Sequence, residues 1–342
     1  MSDSTPTSPP EGIGKMSARL PSVWTRFFSR HTSLQSVLIG SVVLQVLAVT
    51  GLTGYFSFRN GQTAIQALTV LVRKQASTKI KTQLTPYLAA PHQLNQIKAN
   101  AIRLNHINAD DFDRLRPYLL AQLQVFDSVT NTGVATVAGD YISVGRRIDG
   151  SFSNPVIDLA QGKFFQYGLD QDGNRTGILR VAPYEDPRLS KWYRQVTKDG
   201  KATWSPIFTW TFKEFGIGLM AGQPIYDETG KQVGAVNSGL ILDHISGFLR
   251  KLEIAQSGKV FVVERSGLLV ATSTAESPIR PSADQTTSER IAALESQDPL
   301  IRQTTQYLIK RFGDLAQIQH SQQIDFDIAG EQQFVQITPI TD

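Results

Sequence analysis

The spacing of apolar and polar positions changes twice along this chain. From Thr32 to Phe58 there is no charged residue, and Leu34 to Phe56 is mostly apolar, with the runs Val37-Leu38-Ile39, Val42-Val43-Leu44 and Val46-Leu47-Ala48-Val49. A helix needs roughly 20 such residues to cross a bilayer, so the pattern predicts a transmembrane helix over 34–58. Tyr55, Phe56 and Phe58 at its end suit an interfacial aromatic belt. A cleaved signal peptide is the competing reading, but its apolar region should be only about 7–15 residues long. A buried core helix is the other. Ahead of the run, residues 1–33 are rich in Ser, Thr and Pro and carry Lys15, Arg19, Arg26 and Arg30. They read as a basic cytoplasmic tail, and Arg26 and Arg30 against the lone Arg59 place the N-terminus inside.

After Gly61 the period becomes helical. Ile65, Leu68, Val72, Ala76 and Ile80 recur every three or four residues, with Arg73, Lys74, Lys79 and Lys81 between them. This predicts a stalk helix continuous with the membrane span, its stripe serving either core packing or a dimer seam. Pro86 and Pro91 are expected to interrupt it. A second helix is predicted with Leu94, Ile97, Ala101 and Leu104 on one face. A third, opened by Asp110-Asp111, carries Phe112, Leu115, Leu119 and Leu123. The stalk and helical region spans 59–124.

From Val125 the texture turns to short strands. Thr136–Ala138 and Tyr141–Val144 read as a hairpin about Gly139-Asp140, and Phe164–Tyr167 and Gly177–Val181 flank the turn Asp170–Asn174. Pro187 begins a helix on which Leu189, Trp192, Tyr193 and Val196 share a face. Strands follow at Gly216–Tyr226 and Gly234–Leu240, then a helix over Leu242–Lys251. Beyond Ser257 come a hairpin about Glu264–Gly267, a polar loop over Ser277–Thr287, a helical stretch Ile291–Phe312 interrupted at Asp298-Pro299, and a last hairpin about Ala329-Gly330. The class is α+β, with helices packed on antiparallel sheets.

Composition narrows the function. A net charge of +4 over 342 residues does not argue for nucleic acid. With no cysteine, disulfides, thiolate catalysis and zinc–thiolate sites are excluded. The five histidines are scattered at no metal-ligand spacing and read as surface or incidental. There is no Gly-rich phosphate loop and no nucleophile–base constellation, so neither an enzyme nor a cofactor or metal is expected. Three of the four tryptophans, Trp192, Trp204 and Trp210, lie close together with Tyr193, Phe208, Arg188 and Lys191. Such a cluster is either core or the wall of a small-molecule pocket.

Several stretches carry a resemblance: Tyr184-Glu185-Asp186-Pro187-Arg188 with Trp192-Tyr193, Thr203–Trp210, Gln223–Asp227 with Gly230, Lys231 and Gly234, and above all Ser257–Thr272. The chain resembles, from about Gln35 to its end, the double Cache sensor domains of bacterial transmembrane receptors. The resemblance implies a membrane helix, a long stalk helix and two PAS-like domains. The membrane-distal one, here 125–253, would bind a small ligand, and the smaller membrane-proximal one would be 254–342. A cyclase, histidine kinase or chemotaxis module would be the output. The implied function is an extracytoplasmic small-molecule sensor ectodomain held in the membrane, a homodimer through its stalk, binding no nucleic acid. The alternative is a membrane-anchored scaffold for protein contacts.

The ligand-binding candidates are Tyr184, Arg188, Lys191, Trp192, Tyr193, Trp204, Phe208 and Trp210. In the amino-acid-binding branch of the family an arginine two residues before the Trp-Tyr pair holds the ligand carboxylate; here that position is Ser190. The aspartate that holds the ligand amine matches Gly239, and a tyrosine of the Trp-Ser-Pro segment matches Phe208. The usual mode of holding a free amino acid is therefore not expected. Arg188 or Lys191 would have to substitute for the arginine, and amines, carboxylates and uncharged molecules all stay open. The second PAS-like domain stops before the strands the resemblance implies, and no second apolar span follows Asp342. The expectation is either a fragment or truncated gene product, or an anchored ectodomain that signals through a partner protein.

Overall fold

The computed structural model describes residues 34–159, 161–209, 216–252, 258–282, 288–328 and 330–340. The basic tail and Trp210 lie outside the described residues.

A single helix, α1, runs from Leu34 to Arg103. Its apolar start is exposed throughout, and an 18-residue window there has a mean hydropathy of 2.0. By length and composition it can cross a membrane. The expected interruption at Pro86 and Pro91 does not occur; both lie inside the helix. Proline costs a helix interior about 3 kcal/mol, and here that cost is offset by burial, since Leu84, Ala90, Pro91 and Leu94 are all in the core. The buried face also differs from the one expected. Ile97 and Leu104 are about half exposed, whereas Asn95 and Lys98 are fully buried.

The stripe below it, from Thr69 onward, has a partner within the chain. Val72, Ala76 and Ile80 are half-buried. Arg73 pairs with Asp325 at 3.1 Å and lies over the Phe334 ring, and Ser77 meets Thr338 at 2.6 Å. Ile65 and Leu68 are exposed.

Helix α2, Phe112–Val125, opens as expected, with the Asp111 side chain accepting from the Arg114 N–H. Leu115, Leu119, Leu120 and Leu123 form its buried face. A nine-stranded antiparallel sheet follows. Its strands are β1 Asn131–Thr136, β2 Tyr141–Arg146, β3 Phe152–Asp158, β4 Lys163–Leu169, β5 Arg175–Pro183, β6 Thr203–Trp204, β7 Phe208–Thr209, β8 Ile217–Tyr226 and β9 Gln232–Ile241. They lie in the order β5-β4-β3-β2-β1-β9-β8-β6, with β7 also on β8. Strand β3 was not expected; Pro155 and the sequence around it hide its alternation. Helix α3 is Lys191–Asp199, and α4 is Asp243–Arg250.

Opposed residues of paired strands share a face, so the registers divide this sheet cleanly. Val134, Ile142, Val144 and Val236 face the core with α1 and α2. Ala135, Tyr141 and Ala235 face α3, packed on Tyr193 and Val196.

Among the described residues, the remainder has three hairpins and one α-helix. The hairpins are β10 Phe261–Val263 with β11 Leu269–Thr272, β12 Ile279–Pro281 with β13 Ser288–Arg290, and β14 Gln322–Ile328 with β15 Glu331–Ile337. Strand β12 lies within the polar loop expected over Ser277–Thr287, with β13 just after it, and part of that loop, 283–287, is outside the described residues. Helix α5 begins only at Pro299, capped by Asp298, whose side chain accepts from the Leu300 and Ile301 N–H groups. Between Ile291 and Asp298 there is one 3-10 turn instead of helix.

Candidate functional site

The Trp-Tyr segment is positioned by a relay of caps. Asp186 accepts from the Arg188 N–H and opens a 3-10 turn, Pro187–Leu189. Ser190 then caps α3: its hydroxyl accepts from the Tyr193 N–H at 3.4 Å and donates to the Pro187 carbonyl at 2.5 Å. Gly200, in the left-handed region at φ 62°, ends the helix. The residue at the expected carboxylate-binding position is therefore a helix cap.

Arg188 is committed to its own turn. Its guanidinium donates to both oxygens of Asp186, at 2.7 to 3.1 Å, and to the Val137 carbonyl at 3.0 Å. The pairing holds the Asp186 carboxyl below its ordinary range and raises the Arg188 guanidinium. Tyr184 is half-buried beside it; a Cβ on Gly139 would stand 3.2 Å from the Tyr184 hydroxyl and 3.3 Å from the guanidinium. Lys191 is exposed on the first turn of α3.

Trp192 and Tyr193 meet edge to face, 5.5 Å between centroids. With Val196 they pack onto the sheet where β8 carries a glycine. A Cβ at Gly222 would come within 2.3 Å of Val196 Cγ2 and 3.3 Å of Trp192 Cε3. Burial raises the Tyr193 hydroxyl, and Arg188 moderates the shift. Phe208 is half-buried opposite Gly218.

Trp204 is elsewhere. It pairs with Ala221, which is opposite Ser238. That register puts it on the α1 face, where it packs edge to face on His92 at 4.5 Å. His92, expected to be incidental, is thus a half-buried packing partner. The aromatic cluster of the sequence is split by the sheet.

The two faces carry different polar groups, and neither set stood out in the sequence. On the α1 face, fully buried Lys98 donates to the Asn237 carbonyl at 2.6 Å, Ser238 Oγ at 3.2 Å, the Gly133 carbonyl at 3.4 Å and Thr132 Oγ1. Asn95 donates to the Ala221 carbonyl at 3.0 Å and accepts from Ser238 at 2.7 Å. Burial pushes the Lys98 ammonium well below its usual value.

On the α3 face stand Asn131, opposite Gly145 and Gly239, and Asn237, opposite Gly133 and Gly222. Asn237 Nδ2 donates to the Tyr141 hydroxyl at 3.3 Å, and Asn131 Nδ2 faces Met220 Sδ at 3.9 Å. Burial raises the Tyr141 hydroxyl, against the opposing effect of hydrogen bonds to Ser143 and Asn237. Asn131 Oδ1 and Asn237 Oδ1 are buried with no hydrogen-bond partner. Asn131 Oδ1 lies 2.1 Å from where a Cβ of residue 239 would be, so an aspartate at that position would displace it. An open groove of about 280 Å³ lies at the C-terminal end of α3, lined by Arg103, Gly200, Lys201, Pro224 and Tyr226. Among the described residues no group of three or more His, Asp or Glu is placed to hold a metal ion.

No protein-family model matches the chain, and no curated protein matches it. Solved structures do. One is the ligand-binding domain of Campylobacter jejuni chemoreceptor Tlp3 with L-norvaline. It is 12% identical, with a TM-score of 0.47, and the match covers 80% of this chain and 85% of that one. Another is the ligand-binding domain of Mlp24 with asparagine, 13% identical over 80% and 87%, with a TM-score of 0.43. A third is that of the Pseudomonas aeruginosa PAO1 amino acid chemoreceptor PctB with L-Gln, 17% identical over 63% and 68%, at 0.36. The first and third of these are ligand-binding domains of chemoreceptors, and the second is a ligand-binding domain. Each likeness is a partial one of backbone, and the bound amino acids are those proteins' own ligands.

Proposed function

We propose that this chain is an extracytoplasmic small-molecule sensor ectodomain, anchored through 34–58 and coupled to a cyclase, histidine kinase or chemotaxis output. Residues 125–253 form its ligand domain and 254–342 a second PAS-like unit. The observation that carries the reading is the α3-covered face of the nine-stranded sheet. Glycines at 133, 222 and 239 let Asn237, Val196 with Trp192, and Asn131 close tightly over the strands there, and two buried amide oxygens, Asn131 Oδ1 and Asn237 Oδ1, lack partners. A buried acceptor left unpaired costs roughly 1–3 kcal/mol, and a ligand that donates to it removes that cost. The other face of the same strands is fastened to α1 through Lys98 and Asn95. Strands β1 and β9 therefore connect the site to the buried, C-terminal part of α1.

The mechanism this supports makes and breaks no bond. A ligand that prefers one arrangement of β1 and β9 against α1 shifts the population toward it, by no more than its differential affinity for the two states. Two such chains joined along Ile65 and Leu68, both exposed, would carry the shift as a change in helix packing. Of the eight candidates from sequence, Tyr184, Trp192 and Tyr193 are the ones we assign to the pocket wall, with Arg188 as its structural brace. A melting-temperature screen of the full chain in nanodiscs tests the reading, because a ligand of the native state raises the midpoint by mass action. Stabilisation by at least one class among amino acids, amines, organic acids, amides and nucleobases is expected. No stabilisation by any would contradict it.

A further inference from the structure

Resting on that reading, we infer that the α3-covered site takes a neutral molecule, which donates N–H or O–H groups to Asn131 Oδ1 and Asn237 Oδ1. The two asparagines are diagonal neighbours on adjacent strands, β1 and β9. Such positions sit about 7 Å apart, within the span of one small molecule with two donor groups. Their amide nitrogens are turned to Met220 Sδ and the Tyr141 hydroxyl, so each presents an acceptor and not a donor. Asn237 is wholly buried, so no bulk solvent supplies its partner.

Charge selects among donors. No Asp or Glu occurs in β1, β2, β8 or β9, so a buried ammonium ligand would have no counter-ion on these strands. A carboxylate ligand fares no better. Ser190 is a helix cap, and Arg188 already holds Asp186 through Nε and Nη2 and the Val137 carbonyl through Nη1. Burying either ion without a paired charge costs several kcal/mol, whereas a neutral amide, urea or nucleobase carries its donors in with no such cost. Position 239 fits this chemistry: its missing side chain is what lets Asn131 reach over β9.

The test uses one carbon skeleton in three charge states: isovaleramide, isoamylamine and isovalerate, with uracil and adenine as rigid two-donor probes. Each is added at equal concentration to the full chain in phosphatidylcholine nanodiscs, and the melting midpoint is read. The amide or a base is expected to stabilise the chain while the amine and the carboxylate do not. Asn237→Leu should then weaken apparent affinity about tenfold or more, the equivalent of one hydrogen bond. Asn131→Leu, measured without any compound, should raise the midpoint, because it removes an unpartnered acceptor; a merely structural asparagine would lower it. Stabilisation by the amine or the carboxylate alone would overturn neutral recognition and leave the sensor reading intact. Stabilisation by none would sink both. An amide response unchanged in both variants would remove the asparagines from the site.

Discussion

The two faces of the nine-stranded sheet are both buried and both contain polar side chains, yet they are built in opposite ways. On the α1 face every polar group named is paired: Lys98 has four acceptors, and Asn95, Ser238 and Thr132 bond one another or the backbone. On the α3 face Asn131 and Asn237 each keep an unpartnered oxygen, and the neighbouring positions are glycine. A satisfied buried network fixes one packing; an unsatisfied one is a standing cost that natural cores avoid unless something else uses it. The contrast separates the face that holds the fold from the face to which we assign the ligand.

The largest effect should come from the satisfied face. Leu94→Ala removes a fully buried side chain between α1 and the sheet. It should cost about 2–5 kcal/mol in chemical denaturation. Ligand affinity, measured under conditions where the variant is folded, should be unchanged. An equal loss of affinity would mean that the faces are not separable.

Gly222→Leu comes next. Its new Cβ would meet Val196 at 2.3 Å, and Val196 is wholly buried. Overpacking of this kind costs about 1–3 kcal/mol, and here it should push α3 off the sheet and abolish the ligand response together.

Lys98 gives the pH test. Its folded pKa is depressed by burial, so between that value and the ordinary lysine value near 10.4 the unfolded chain binds one more proton than the folded chain. Stability from this group therefore rises with pH across that window, by at most about 1.4 kcal/mol per unit. Lys98→Met should flatten the profile below pH 10, where tyrosine ionisation does not yet intrude. An unchanged slope would mean that Lys98 is charged in the folded state.

The smallest effect on stability belongs to Leu68→Asp, within about 0.5 kcal/mol for an exposed position. Its readout is oligomeric state in nanodiscs: a dimer should become a monomer, and an unchanged dimer would move the interface away from this stripe.

Much of the fold could be read from the sequence. The charge-free run, the Asp111 cap, the turn at Asp170–Asn174, strands β8 and β9, α4 and the last hairpin all follow from local chemistry. What could not be read was long-range. The buried face of α1 was missed because two of its positions are Asn95 and Lys98, and a binary pattern counts both as solvent-facing. Pro86 and Pro91 looked like breaks because their cost is local while the burial that offsets it is tertiary. The aromatic cluster looked like one feature because sequence spacing does not reveal that Trp204 crosses to the other side of the sheet from Trp192. The signal for Asn131 and Asn237 was present but faint: strands that read Asn-Thr-Gly and Val-Asn-Ser-Gly place small polar residues where a sandwiched strand should carry large apolar ones.

Amide hydrogen exchange of the full chain in nanodiscs, with and without whichever of isovaleramide, uracil and adenine stabilises it most, tests the central claim most directly. Added protection is predicted at 131–135, 191–199 and 235–239, the strands and helix that enclose the α3 face, with little change over α2. Protection confined to the open groove near Arg103 and Tyr226, or absent from β1, β9 and α3, would contradict the assignment of the site.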